Sequence, residues 1–199
     1  EDFNAETYTL PNNYQSVENI TALERGMSSN YTQAAVLSEA LASLYKEGDL
    51  RLDAYFKAAD KNGYRFSQKS GKDDFRCSFR VGEMYLNSAE AAAQSDKLPQ
   101  ARTRLLELMQ KRYTPEAYTV KATAVNAMTK EALIQEILDE RARELAFEGH
   151  RWFDLRRTTR PRIEKVLKGG TYVLEQDDSR YTIQIPSCLL YTSDAADDS

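Results

Sequence analysis

One stretch restricts the fold more than any other: Asp139-Glu140-Arg141-Ala142-Arg143-Glu144-Leu145-Ala146-Phe147-Glu148-Gly149. Leu133, Ile134, Ile137, Leu138, Arg141, Leu145 and Phe147 carry a helical pattern through it to Gly149. Thr129 as N-cap, Glu131 near the positive end and Gly149 as a stop predict a helix over 129–148. On that helix Glu140, Glu144 and Glu148 fall at i, i+4 and i+8, in one column. Carboxylates stacked in this way repel, so the fold must answer them with cations. Arg143 sits beside Glu140 at i+3, and Arg151 and Arg157 follow the chain reversal at Gly149. Guanidinium groups suit such pairs because they bind carboxylates bidentately. The expectation is an ion-pair network of Glu140, Arg141, Arg143, Glu144, Glu148, Arg151, Asp154 and Arg157 that ties the long helix to the segment after it.

The same carboxylates suggest an alternative, a glycosidase-like hydrolase with one acid and one base or nucleophile on helix 129–148. Neighbouring arginines weigh against it, since they hold carboxylates ionised and leave no raised-pKa acid. His150 is read as a helix-end residue and Trp152 as a packing residue. No Ser or Cys nucleophile motif, Gly-rich phosphate loop or His-Glu metal pair appears.

Composition removes further classes. With 27 Lys+Arg against 31 Asp+Glu and no basic block, the chain does not read as a nucleic-acid binder. Cys77 and Cys188 are far apart and the single His150 has no local partner, so neither a disulfide framework, a metal site nor a cofactor is expected. Apolar runs are only a few residues long, well short of the roughly 20 that span a bilayer. A length of 199 residues is one domain's worth of chain.

Along the chain, residues 1–31 read as irregular. A first amphipathic helix is predicted from Thr32 through Val36, Leu37, Ala40, Leu41, Leu44 and Tyr45 to a stop at Gly48, followed by a polar loop or hairpin over 60–74. Residues 79–93 predict a helix whose alanines admit a close neighbour. The neighbour is next in sequence, capped at Ser95-Asp96, with Pro99 in its first turn and an end near Arg112, so the two form a helical hairpin. Tyr113 to Thr119 reads as a polar loop, Trp152 to Leu155 and Arg162 to Leu167 as short helices, and Thr171–Leu174 with Tyr181–Ile185 as two strands. The fold class is mainly α with a small β element near the C-terminus.

Aromatics in the expected loops offer binding chemistry. Tyr64, Phe66, Tyr113 and Tyr118, with Arg65 among them, are the candidate ligand contacts: rings stack on the apolar faces of sugars while neighbouring polar groups bind hydroxyls.

Two motifs carry a family resemblance. Arg80-Val81-Gly82-Glu83-Met84-Tyr85-Leu86-Asn87-Ser88-Ala89-Glu90-Ala91 resembles the R-x-x-E-x-Y-L-x-x-A-E-A signature of RagB/SusD outer-membrane proteins. Glu140-Arg141, Glu144-Leu145, Glu148-Gly149, Arg151, Asp154-Leu155 and Arg157 resemble that family's E-R-x-x-E-L-x-x-E-G-x-R-x-x-D-L-x-R signature. Asp49 to Phe56 and Ile183 to Pro186 are similar to the regions before and after these motifs, so the resemblance runs from about Thr32 to Pro186. It implies a SusD-like scaffold of tetratricopeptide-like helical pairs, with residues 1–187 as the C-terminal portion of a single domain. It also implies a surface lipoprotein of the outer membrane that binds an oligosaccharide or similar nutrient without catalysis. Its partner would be a SusC-like TonB-dependent transporter, and its membrane contact a lipid anchor outside this chain. Residues 188–199 resemble a translated sequencing adapter and are expected to be a non-native tail.

Overall fold

The computed structural model describes residues 1–10, 13, 15–21, 24–25, 35–69, 75–76, 79–167 and 169–182. Two compact units divide the chain, Glu1–His150 and Arg151–Ser199. Among the described residues the elements are β1 (Asn19–Thr21), β2 (Glu24–Arg25), α1 (Glu39–Ala42), α2 (Arg51–Tyr55), β3 (Phe75–Arg76), β4 (Phe79–Arg80), α3 (Val81–Gln94), α4 (Leu98–Met109), α5 (Pro115–Ala127), α6 (Lys130–Glu144), α7 (His150–Arg157), β5 (Ile163–Leu167) and β6 (Gly170–Leu174). A 3-10 turn, Ser179–Tyr181, follows. The strands form three antiparallel pairs, β1 with β4, β2 with β3 and β5 with β6. The protein is mainly helical with small β hairpins, and no helix among the described residues is long and apolar enough to cross a membrane.

The first unit is built on the hairpin of α3 and α4. Ala89, Ala92 and Ala93 put small side chains on the inner face of α3, and α4 answers with Ala101, Leu105, Leu108 and Met109, all buried. Small residues let the axes approach, and the leucines then interdigitate. Leu133 and Ile137 of α6, with Val125 of α5, complete this core. Burying each such aliphatic side chain contributes about 1.5–3 kcal/mol. The three-residue link works through a C-terminal cap: the Lys97 N–H donates to the Ala92 carbonyl at 2.9 Å and the Asp96 N–H to Ala93 at 3.2 Å. Asp96 takes the left-handed position at φ 59°, which aspartate tolerates better than most residues. Ser95 and Asp96 therefore close α3; the N-cap of α4 is Lys97, whose side chain makes no capping bond.

Several expected elements differ. The first helix shrinks to Glu39–Ala42, capped by Ser38, because tertiary pairing claims the residues before it. Val36 bridges Phe66, and the Leu37 N–H donates to the Arg65 carbonyl at 2.8 Å, so these apolar positions are extended; Thr32 lies outside the described residues. The expected polar loop after Tyr113 is helix α5, with Thr114 accepting from the Ala117 N–H at 3.3 Å and Pro115 in the first turn. Arg162–Leu167 contributes strand β5, paired with β6 from Ile163↔Leu174 to Leu167↔Gly170. Tyr181 closes a 3-10 turn, while 183–185 lie outside the described residues. Helix α6 stops at Glu144 with Leu145 as its C-cap, and Phe147 adopts φ 62°, so Glu148 leaves the helical column.

Two glycines hold tight approaches. Gly48 has φ +80°, and a Cβ there would meet the Ala117 Cβ at 2.4 Å. That clearance lets the segment from Gly48 pair with the end of α4: Leu50 donates to the Arg112 carbonyl at 3.0 Å and Thr114 to the Gly48 carbonyl at 2.8 Å. Arg51 and Arg112 are thereby delivered to one place. Gly82 opens α3, where a Cβ would lie 2.5 Å from Arg80 Nη1 and 3.0 Å from Glu144 Oε1.

In the second unit the Trp152 ring stacks on Tyr181 with centroids 5.1 Å apart. The Tyr181 hydroxyl donates to the Pro161 carbonyl, and Arg157 Nη2 reaches Asp154 Oδ1 at 2.7 Å within α7.

Candidate functional site

Five carboxylates and five cations meet below the end of α6. Asp49 and Arg51 come from the start of α2, Lys69 from the strand-like segment after it, Arg80 from the end of β4, and Arg112 from the turn after α4. Glu140, Arg143 and Glu144 come from α6, Glu148 from the turn beyond it, and Glu18 from the segment before β1. The Val81 N–H donates to the Glu18 carbonyl at 2.9 Å, which brings that segment alongside.

Glu144 is the centre. Its side chain is fully buried and accepts from Arg80 Nη1 at 2.7 Å, Arg51 Nη1 at 3.0 Å and Arg112 Nη2 at 3.0 Å, with Arg112 Nε at 3.1 Å. Glu140 takes Arg51 Nη1 at 2.7 Å and Arg143 Nη2 at 2.7 Å. Glu148 takes Arg80 Nε at 2.8 Å and the Lys69 ammonium. Glu18 receives Arg112 Nη2 at 2.6 Å, and Asp49 receives Arg51 Nη2 at 2.8 Å. Arg80 Nη2 and Lys69 Nζ also donate to the Glu144 carbonyl, at 2.7 and 3.0 Å, which satisfies an acceptor at the helix end. Aromatic rings form the walls: Lys69 Nζ lies 4.0 Å from the Tyr55 centroid, and the Arg112 guanidinium 4.7 Å from that of Phe3.

The charges balance, five against five. Without that balance, desolvation of each ion would cost several kcal/mol. Burial by itself raises the Glu144 carboxyl, but Arg112, Arg80 and Arg51 outweigh it and hold the group well below the ordinary carboxylate range. The same opposition, with Arg51 and Arg143 prevailing, lowers Glu140; Arg80 and Lys69 lower Glu148. Burial pushes the Lys69 ammonium down to about 8 against the pull of Glu148. Glu140, Glu144 and Glu148 are thus all held below the ordinary carboxylate range by the cations around them.

The residues expected in the network divide into three groups. Glu140, Arg143, Glu144 and Glu148 are brought together. Arg141 turns instead to Asn87 Oδ1 at 2.6 Å, Asp154 pairs with Arg157 inside α7, and Arg151 is exposed. Among the described residues of the first unit, the partners of the three glutamates come from Arg51, Lys69, Arg80 and Arg112, upstream in the chain, together with Arg143 of the same helix. The expected network does not contain Glu18, Asp49, Arg51, Lys69, Arg80 or Arg112. Arg80 at the head of the first signature and the Asp49-Leu50-Arg51 step before it are the only local signals for any of them.

The candidate ligand residues occupy separate places. Tyr64 is 54% exposed at the tip of a turn after α2. Arg65 and Phe66 follow it, half-buried, and Arg65 Nη2 reaches Asp53 Oδ1 at 2.7 Å. Tyr113 is 1% exposed, so it presents no free ring: its hydroxyl accepts from Arg51 Nη2 at 3.1 Å. Tyr118 lies on α5, half-buried against the helical core. No hydrogen bond, ion pair or ring contact joins the Tyr64 turn to Tyr113 or Tyr118 among the described residues. A groove of about 810 Å³ between Lys46–Gly48 and α5 is lined by Tyr113, Thr114, Ala117, Val120 and Lys121, among others. Among the described residues no cluster of His, Cys, Asp and Glu has the arrangement of a metal site.

A helical-hairpin scaffold pinned by a buried ion cluster, with both signatures converging on Arg80 and Glu144, defines the class of protein. The chain belongs to the SusD family, whose sequence profile matches residues 45–187. Two solved structures share the fold. One is a SusD-like carbohydrate binding protein from Bacteroides vulgatus, with a TM-score of 0.58 and 17% identity over 89% of this chain and 48% of the other. The second is a SusD superfamily protein from Bacteroides fragilis, with a TM-score of 0.66 and 21% identity over 92% of this chain and 48% of the other. This chain therefore spans about half the length of the structures it resembles. Among curated proteins none matches it.

Proposed function

We propose that residues 1–187 are the C-terminal portion of a single SusD-like domain in a carbohydrate-binding protein of the outer-membrane surface. The protein captures an oligosaccharide or similar nutrient and delivers it to a SusC-like TonB-dependent transporter, and a lipid anchor holds it to the membrane. Residues 188–199 belong to none of this and are a non-native tail. The observation that carries the reading is the family match over residues 45–187. The likeness to a SusD-like carbohydrate binding protein supports the choice of ligand class.

Capture proceeds without bond cleavage. Glycoside hydrolysis needs one carboxylic acid that keeps its proton near neutrality and a second carboxylate facing the sugar. Glu140, Glu144 and Glu148 supply neither, since each is surrounded by guanidinium or ammonium groups and holds its charge. Binding then rests on ring faces and hydrogen bonds. The exposed Tyr64 ring, with Arg65 and Phe66 beside it, provides the main contacts, Tyr118 on α5 a separate one, while Tyr113 acts from inside by holding Arg51. The test is titration of the complete protein with gluco-, xylo-, manno- and galacturono-oligosaccharides, followed by an assay for new reducing ends. Saturable binding of at least one class, weakened several-fold by Tyr64→Ala, with no reducing ends released, is the expected result. Release of reducing ends that stops on Glu144→Gln would establish the hydrolase instead.

A further inference from the structure

We infer that Lys69 is a positioning residue for the Tyr64 turn, its buried ammonium fastening the outer leg of that turn to the Glu148 and Glu144 end of the ion cluster. The inference rests on the reading of that turn as a ligand contact, and it adds the means by which the turn is held.

The turn stands on two legs. The inner leg descends from α2, where the fully buried Arg51 is clamped by Asp49, Glu140 and Glu144. The outer leg returns through Phe66, Ser67 and Gln68 to Lys69, which is 3% exposed and donates to Glu148 and, at 3.0 Å, to the Glu144 carbonyl. Backbone bonds lace the legs together, with the Lys57 N–H donating to the Phe66 carbonyl at 2.9 Å and that of Gln68 to Tyr55 at 2.7 Å, and Ser67 ties the outer leg to the segment before α1 by donating to Ala35 at 2.9 Å. At the tip, Asp60 Oδ1 accepts from the Asn62 and Tyr64 N–H groups, each at 2.8 Å, so the ring is carried on a closed turn. A closed turn on a fixed base loses little freedom when a sugar docks, which is the general route from rigidity to affinity.

Arg51 and Lys69 differ in what else depends on them. Arg51 neutralises the centre of the cluster, so its loss leaves Glu140 and Glu144 short of charge. Lys69 is peripheral. If it is removed, Glu148 keeps both Arg80 Nε at 2.8 Å and Arg80 Nη2 at 3.0 Å, and the Glu144 carbonyl keeps Arg80 Nη2 at 2.7 Å. Its depressed pKa has the same origin, burial against an aromatic wall with Arg80 close by. Lys69 therefore fastens the outer leg at the edge of the cluster, where Arg80 still answers the same acceptors when Lys69 is lost.

The experiment compares wild type, Lys69→Met and Lys69→Arg in the complete protein by amide hydrogen exchange, which needs no ligand. With Lys69→Met, exchange at Leu37, Lys57, Ser67 and Gln68 should rise on the order of tenfold, the size of a lost charge-assisted hydrogen bond, while α3, α4 and α6 stay protected. Lys69→Arg should restore at least part of that protection. Unchanged exchange in these four amides would overturn the inference, as would a rise spread evenly over the helical core. Affinity for the oligosaccharide panel is the second arm. Loss of binding with Tyr64→Ala and a smaller loss with Lys69→Met support both readings. If Tyr64→Ala binds like wild type, the ligand assignment fails while the exchange result still decides the role of Lys69.

Discussion

Replacing Glu144 by glutamine changes one charge and almost no volume, so it isolates what the cluster contributes. Three guanidinium groups lie within 3.0 Å of the Glu144 oxygens in the wild type. In the variant they face an amide whose NH2 end is itself a donor. Some hydrogen bonds survive at the remaining oxygen, but the five-to-five balance becomes four against five in a site closed to solvent. Removing one partner of a buried ion pair typically costs about 3–5 kcal/mol, because the other charge stays buried. For a chain of this size 1 kcal/mol corresponds to roughly 2–4 °C in Tm, and a protein about twice as long responds about half as much, so the expected fall in the complete protein is about 3–10 °C. The control is Glu107→Gln. Its bond to Arg104 Nη1 is also short, 2.8 Å, but both side chains are more than two-fifths exposed, and exposed pairs contribute about 0–1 kcal/mol. Thermal and urea unfolding of the complete protein, followed by circular dichroism, measures both variants, and oligosaccharide affinity is taken on the folded protein at low temperature. A large loss of stability for Glu144→Gln with affinity within twofold is the predicted pattern. Equal Tm values for the two variants would refute the reasoning, and so would a stable Glu144→Gln protein that no longer binds.

Gly82→Ala places a methyl 2.5 Å from Arg80 Nη1 and should cost about 1–3 kcal/mol by displacing the guanidinium from Glu144. In a double-mutant cycle with Glu144→Gln the two losses should be less than additive, which chemical denaturation reads directly. Acid should act through the same groups. Glu140, Glu144 and Glu148 are lowered in the fold relative to the ordinary value of 4.5, so their stabilisation is fully present above that value and is lost as the pH falls through the lower folded values. Stability attributable to the cluster should be flat between about pH 7 and 5.5 and fall below about pH 4, and Glu144→Gln should show a shallower acid limb in a denaturation series.

The helical framework was legible in the sequence where local chemistry and packing agree. Helix α3 follows its alanine stripe, and α6 begins at Thr129 because that hydroxyl caps the Ala132 N–H. Where distant backbone groups compete, the local pattern misleads: Val36 and Leu37 have helical spacing but pair with Phe66 and Arg65. Helix α5 shows no clear apolar stripe among its Thr and Val residues, so its segment reads as a loop, although Thr114-Pro115-Glu116 is a start signal. Arg162–Leu167 reads locally as a helix, yet its partner β6 lies just beyond Gly169, and pairing decides the conformation. Three of the five carboxylates, Glu140, Glu144 and Glu148, announce themselves through their four-residue spacing, and Arg143 through its place beside Glu140. Their meeting with the other cations is not announced, because Arg51 and Glu144 are 93 positions apart and nothing local to Arg51 encodes it.

The central claim is that these carboxylates are permanently ionised fasteners of the scaffold. Site-resolved NMR titration of the side-chain carboxyl groups of Glu140, Glu144 and Glu148, with the signals assigned by single Gln substitutions, measures this directly. All three should titrate below the ordinary glutamate value of 4.5 or stay ionised until the protein unfolds. A midpoint near or above about pH 6 for any one of them would mark a proton-holding acid and contradict the account.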